Sequence, residues 1–600
     1  MFLLWRLLVL EVLEYPFDVS KILRKKKILK RHFLENESLV NIKIAVLGAT
    51  TTFEVIEQLE LFLLKSGFKP TFYSCDYGQH YNVVMFDDEA LINFKPDIVY
   101  LHVSPETFDE LNKPNISSKE KAEIELNKMQ KVWEKLNTNF NCSVIQDNFE
   151  MPLVRSLGNF SLTSTTGSSQ TIILLNQMIA QEANKLSYLN IIDRFYLSSK
   201  MGLDSWKDYS LWLSSKYSLS YNAITHLSYT VSKIINSLLG KSKKCLVLDL
   251  DNTLWGGVIG DVGKEGIDLG RDTSIGQAYL DFHLYIKELK DRGVILAVCS
   301  KNEFDTAKSG FDHPDSILKF EDFTSFKANW DPKSKNIHEI ADEINIGLES
   351  LVFIDDNPVE RDIVRKEFGS IITVPEIGDD VVHYREILDS ADLFTVTSLS
   401  SEDVKRNEYY KNNQKREKFL STFENYDEYL KSLKMKAEIA PYKNIYLSRI
   451  SQLTNKTNQF NLTTRRMSLQ EIEKSMQEKN KISFYARLID KFGDNGLVSL
   501  IQGTILGSKV EIDLWLMSCR VFKRTLEHSL LYSFLKEAKN RDIKTVRGRY
   551  VPTKKNYIVS NLYKEMGFLL VGEKEGSQIF EIDLKKYSIP NNPNIIIEEL

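Results

Sequence analysis

Residues 246–251, Leu-Val-Leu-Asp-Leu-Asp, constrain this chain more than any other stretch. An apolar run of this kind suits a strand buried on both faces of a parallel sheet. The side chains of Asp249 and Asp251 leave the same side of an extended chain, because the period is two. Two carboxylates so placed repel each other, and a divalent cation relieves the repulsion. The stretch therefore predicts hard-metal chemistry at the C-terminal end of a sheet strand, where open α/β folds place their sites.

Around it, 600 residues are too many for one core, so several domains are expected. Strand patterns at 42–48, 98–102 and 143–146, with a long helix at 117–136, predict an α/β layer domain over 41–235. A second α/β block over 240–393 has a helix at 275–291, a strand at 294–299, a helix at 333–346 and a strand at 351–354. The charge-rich stretch 394–435 reads as a helical connector. Strands at 484–489, 497–503 and 510–517, a turn at 492–496, a helix at 522–539 and a strand at 544–548 predict an α+β domain over 436–590.

Charge excludes one class of function. The chain has 78 basic and 82 acidic residues, which argues against nucleic-acid binding driven by bulk charge. The cysteines Cys75, Cys142, Cys245, Cys299 and Cys519 are scattered, with no zinc-site spacing, and fit a reducing cytosol. Residues 1–40 read as an N-terminal helical segment. Arg6, Glu11 and Glu14 interrupt its apolar start, so it cannot supply the ~20 apolar residues of a membrane span. A cytoplasmic protein without a transmembrane segment is expected. The basic run from Arg24 to Arg31 reads as a solvated helix face, or as contact with acidic lipid or an acidic partner.

Four features follow the predicted strands of the second block: Asp249 with Asp251 and Thr253, then Ser300, then Lys333 in Trp-Asp-Pro-Lys, then Asp355-Asp356. In this order they resemble the haloacid dehalogenase superfamily of phosphohydrolases. The resemblance implies Asp249 as the nucleophile of an aspartyl-phosphate and Asp251 as general acid and base. Ser300, with Thr253, Lys301 and Asn302, would bind the phosphoryl group, and Lys333 would offset its charge. Mg2+ would be held by Asp249, the Asp251 carbonyl, Asp355 and Asp356, since oxygen ligands suit it. The short interval between the first two motifs leaves no room for a large cap, so a Rossmann-like site open to a bulky or tethered substrate is expected.

Three phrases narrow the match: Asp251-Asn-Thr-Leu-Trp-Gly-Gly-Val-Ile-Gly260, Val298-Cys-Ser-Lys-Asn302 and Phe353-Ile-Asp-Asp-Asn-Pro-Val-Glu-Arg361. With the distant Asn455-Lys-Thr-Asn-Gln-Phe-Asn-Leu-Thr-Thr-Arg-Arg466, they resemble the FkbH-like group, subfamily IIIC. That implies a biosynthetic phosphatase or phosphotransferase acting on a phosphorylated small molecule or a carrier-tethered one. A second reading is a glyceryl transferase loading an acyl carrier protein from 1,3-bisphosphoglycerate, with Cys299 or Cys519 as the transfer thiol. A third is a non-catalytic assembly protein. The region 41–235 resembles an SGNH hydrolase but has Gly48-Ala-Thr50 and Trp206-Lys-Asp208 where the hydrolytic motifs stand. The region 436–590 resembles a GNAT acyltransferase, with Lys523 and Thr525 at the glycine positions of the acyl-CoA loop.

Overall fold

The computed structural model describes residues 11–35, 39–113, 115–457, 459–553, 555–574, 576–588 and 592–599 of an α/β multidomain chain. Met1–Ser242 with Thr395–Thr397 form one compact unit, and Lys243–Phe394 with Ser398–Leu600 form a second.

The first unit is built on β1 (Val40–Gly48), β2 (Phe68–Ser74), β3 (Ile98–His102), β4 (Ser143–Asp147) and β5 (Leu189–Ile192), in the order β2-β1-β3-β4-β5. Every neighbouring pair is parallel. Alternation along β1 sends Ile42, Ile44 and Val46 to one core with Val55, Leu59 and Leu227. Ala45 and Leu47 go to the opposite core with Trp133 and Leu175. Both faces are covered, which is why β1 and β3 read as apolar runs. The sequence does not announce β2 and β5, whose Lys69, Thr71 and Asn190 interrupt the pattern at the sheet edges. The long helix runs Ser118–Phe140, started by the Ser117 hydroxyl, which accepts from the Glu120 amide at 3.1 Å.

Residues 1–10 of the expected N-terminal segment lie outside the described residues. The helix Val19–Leu34 buries Ile22, Leu29 and Phe33 against Leu61, Phe62 and Leu64. Part of its basic run is spoken for: Lys26 pairs with Glu54 at 2.8 Å and Lys30 with Glu60 at 2.6 Å. Among the described residues, no helix is long and apolar enough to cross a membrane.

In the second unit, β6 (Cys245–Leu248), β7 (Ile295–Ser300), β8 (Ser325–Ala328) and β9 (Leu351–Ile354) form a parallel sheet in the order β8-β7-β6-β9. β6, β7 and β9 are buried along their whole length. Between β6 and β7 lie a short helix, Ile259–Val262, and the long helix Ser274–Asp291, with no inserted cap domain. The helices Ser401–Val404, Arg406–Leu420 and Tyr426–Ser432 follow.

The second sheet of this unit comprises β10 (Met435–Pro441), β11 (Phe460–Asn461), β12 (Lys481–Asp490), β13 (Gly493–Leu506), β14 (Lys509–Met517), β15 (Thr545–Tyr550), β16 (Leu569–Lys574), β17 (Ser577–Asp583) and β18 (Ile595–Glu599). Its order is β16-β17-β15-β14-β13-β12-β10-β18, with β11 beside β14. The helix Leu526–Asn540 packs Leu530 and Phe534 on one face, and Ile450, Leu453 and Ile472 cover the other. The expected turn at 492–496 is tighter. The reversal falls on Lys491 and Phe492, and Asp494 to Leu497 already belong to β13 across a register shift. The Asn-Gly signal marks that irregularity, where Gly496 has φ 69°. β18 lies beyond the expected end of the domain and pairs in parallel with β10.

Candidate active site

The polar residues that follow β6, β7 and β9 meet at one edge of the four-stranded sheet. Asp249 continues β6, its amide donating to the Ile354 carbonyl at 2.9 Å. Its Oδ2 lies 3.0 Å from the Lys333 ammonium, and its Oδ1 is buried without a hydrogen-bond partner. Lys333 opens the helix Lys333–Ile344 after Pro332, so its side chain tilts back toward the helix start and the strand ends. It is buried and reaches Asp355 Oδ2 at 2.5 Å. Asp355 accepts from the Asn357 amide at 2.9 Å through its other oxygen. Asp356 Oδ1 accepts from the Thr253 hydroxyl at 3.2 Å.

Asp249, Asp355 and Asp356 each place a carboxylate oxygen within 4.8 Å of the others. The convergence leaves an electrostatic mark. Burial, then the charge of Asp249, raises Asp355 to about 7, against the pull of Lys333. Burial and Asp249 likewise raise Asp356. Burial would lower Lys333, but the Asp249 and Asp355 carboxylates outweigh it and hold the ammonium firmly charged.

The Asp251 carboxylate takes a different direction. Its Oδ1 accepts from the Trp255 indole at 2.9 Å and the Ile259 amide at 3.1 Å, and its Oδ2 from Asn302 at 2.9 Å. The turn that allows this sets Asn252 at φ 53°. Asn302 also donates to the Ser300 hydroxyl at 3.2 Å. Asn302 therefore orients Asp251 and Ser300. Lys301 is half-exposed on the rim and pairs with Glu360 at 2.6 Å. Trp255 is fully buried, and a Cβ on Gly310 would sit 2.7 Å from its ring, so only glycine lets the indole reach Asp251.

Arg361 carries weight that the sequence reading did not give it. Buried at 2 % exposure, its guanidinium donates to the Asp355 and Asp356 carbonyls, both at 2.7 Å, and pairs with Glu376. The available signal was a cation in the first turn of a helix that starts beside two carboxylates.

The two candidate thiols lie apart. Cys299 is fully buried in the core with Val247, Ile337 and Phe353, and burial pushes its thiol up. Cys519 is part-exposed, beside Lys244, which precedes β6 at the end away from Asp249.

Comparison with known proteins is consistent with this geometry. The FkbH N-terminal domain family matches residues 43–236. Among solved structures, the chain is similar to the N-terminal part of BF1531 from Bacteroides fragilis, which contains a phosphatase domain and is complexed with Mg. The identity is 32 %, covering 62 % of this chain and 99 % of that one, at TM-score 0.59. The ribosomal-protein-S18-alanine N-acetyltransferase from Escherichia coli also matches, at 12 % identity over 25 % of this chain and 94 % of that one, with TM-score 0.20. A search of curated proteins finds no match. The chain belongs to the FkbH-like group of haloacid-dehalogenase-superfamily phosphatases.

Proposed function

We propose that residues 240–393 form a Mg2+-dependent phosphatase domain that works through an aspartyl-phosphate on Asp249. The observation that carries this reading is the unequal treatment of the two Asp249 oxygens. Lys333 holds Oδ2, while Oδ1 is buried with nothing to bond. A buried carboxylate oxygen without a partner is costly. The purely oxygen donor set of Asp249, Asp355 and Asp356 fits Mg2+, as the crystallised relative from Bacteroides fragilis also suggests. Mg2+ bound there would draw charge from a phosphoryl group and from the carboxylates that face it.

Asp249 attacks phosphorus and the leaving oxygen departs in line. Asp251, fixed by Trp255, Ile259 and Asn302, gives that oxygen a proton. The same carboxylate then takes a proton from the water that cleaves the acyl phosphate. Lys333 balances the charge of Asp249 and the arriving phosphate, and Ser300 holds a phosphoryl oxygen. Thr253 positions Asp356.

With no cap between β6 and β7, the site suits a phosphorylated small molecule or one tethered to a carrier, and a biosynthetic pathway is what the family resemblance implies. Transfer of glyceryl to a carrier protein rests on the family resemblance. Cys299 is sealed in the core, so a thioester route would have to use another thiol. We assign 41–235 as a scaffold or partner-binding domain. Thr50 is buried, and Asp208 caps a helix by accepting from the Ser210 and Leu211 amides. Residues 394–435 are the connector, and 436–590 with β18 form the C-terminal domain. The test is hydrolysis of p-nitrophenyl phosphate. Activity should require Mg2+ and vanish in Asp249→Asn; full activity in that variant would remove Asp249 from the mechanism.

A further inference from the structure

Lys244 precedes β6 and Asp249 follows it, so their backbones stand ~16 Å apart along an extended strand. At the Lys244 end, the phosphatase domain meets the connector and the C-terminal sheet, and basic side chains gather there. Arg406 pairs with Asp403, and Lys456 approaches the same carboxylate at 3.6 Å. Arg449 lies 2.5 Å and Arg520 3.7 Å from Glu402. Lys244 makes no ion pair or side-chain hydrogen bond among the described residues, although it stands near Arg406, Lys456 and the Cys519 thiol. The adjacent carboxylate, Glu349, is engaged by Lys555 at 2.7 Å. Five cations therefore share two carboxylates.

Uncompensated charge among partly buried side chains is unfavourable unless an anion supplies the missing partner. The titration of the cluster agrees. Burial outweighs Asp403 and brings Lys456 down to about 8, burial brings Arg449 down to about 10, and burial lowers Lys244. Lys456 belongs to the Asn455–Arg466 phrase, whose Asn461 holds the Thr464 amide at 2.9 Å. The phosphatase mechanism uses none of these residues.

We propose that this basic cluster is a second anion site, built for a phosphate group, with the Cys519 thiol beside it. The excess of positive charge favours a phosphate over a halide, and the Lys244 and Lys456 ammonium groups are the donors that would meet its oxygens, since Arg406 already donates to Gly293 and Asp403 and Arg449 to Leu497 and Gln452. The phosphate can arrive as a free monoester or as a diester on a tethered arm, which a dianionic and a monoanionic probe separate.

The test follows alkylation of Cys519 by iodoacetamide, read by peptide mass, with the part-exposed Cys75 of the first unit as the internal reference. Inorganic phosphate or dimethyl phosphate should slow Cys519 roughly threefold at about twice its Kd and leave Cys75 unchanged. Inorganic phosphate alone protecting points to a monoester. Dimethyl phosphate protecting equally points to a diester. Lys244→Met and Lys456→Met should each abolish the protection while p-nitrophenyl phosphate hydrolysis continues. As a second readout, phosphate should raise the melting temperature of the native protein more than that of Lys456→Met. If chloride at matched ionic strength protects Cys519 as well as both phosphates do, the site does not exist.

Discussion

Lys333 and Asp355 form a buried ion pair at 2.5 Å that joins the first turn of one helix to the end of a neighbouring strand. The same ammonium serves Asp249 at 3.0 Å, so one cation holds two carboxylates beside a third, Asp356. Lys333→Met removes the only described cation within ion-pair distance of Asp249 or Asp355. Breaking a buried pair costs about 3–5 kcal/mol, and urea unfolding without metal should show a loss of that order. Millimolar Mg2+ should return part of it, because the cation takes over the compensation. Equal losses with and without Mg2+ would contradict the placement of the metal.

Asp355 gives the metal-free protein a pH signature. Its folded pKa, about 7, stands above the ordinary aspartate value, so the folded state keeps a proton that the unfolded state has lost. The contribution is fully present below pH ~4 and fades as pH rises toward about 7. In chelator, the melting temperature should therefore be higher at pH 5.5 than at pH 8. Asp355→Asn, which cannot ionise, should flatten that difference. A chelated protein that gains stability steadily from pH 5.5 to 8, in step with Asp355→Asn, would contradict the assignment.

Arg361 ties the Asp355 and Asp356 carbonyls to Glu376 and so fixes the loop that carries two of the three carboxylates. Losing such a support weakens metal binding by about 10–100-fold. Arg361→Ala should raise the Mg2+ concentration needed for half-maximal hydrolysis by that factor. Arg361→Lys should not restore it, since an ammonium lacks the planar fork that reaches the carbonyls and Glu376 together.

In the loop before the helix Leu526–Asn540, Lys523 and Thr525 both sit at φ 61°, a region that costs a side chain about 1–2 kcal/mol. The Lys523 carbonyl accepts from Tyr426 at 2.6 Å, and the Thr525 carbonyl accepts from Asn592 at 2.7 Å. Lys523→Gly should relieve the strain and raise stability by about 0.5–1 kcal/mol in urea unfolding, after the added chain entropy of glycine is subtracted. Thr525→Gly should gain less, because it also loses the hydroxyl that meets Asn592.

The site was legible where chemistry sits on strand ends. β6 and β7 are central, and β9, last in the sheet order, is fully buried and bridged on its outer side by Thr373, so their apolar runs announce themselves, and the polar residue that ends each run marks the same side of the sheet. The edge and short strands β2, β5 and β8 mix polar and apolar residues, because one side of each lacks a neighbour or a full cover. Arg361, Trp255 and Gly310 were not legible because they act through another residue's position, which only the folded arrangement shows. Thr525 and Lys523 illustrate the opposite case. The sequence places large residues where glycine suits the turn, and the backbone keeps the left-handed conformation anyway.

The parallel pairing of β10 with β18 joins residues 435–439 to residues 595–599. A ribosome must therefore release more than 150 further residues, on the numbering of that pair, before the outer edge of β10 meets its partner. Until then β10 presents open amides and carbonyls, the template on which one nascent chain pairs with another. Production of this chain should accordingly be most prone to aggregation in the interval between the emergence of β10 and that of β18, and truncations that remove β18 should be less soluble than their length alone suggests.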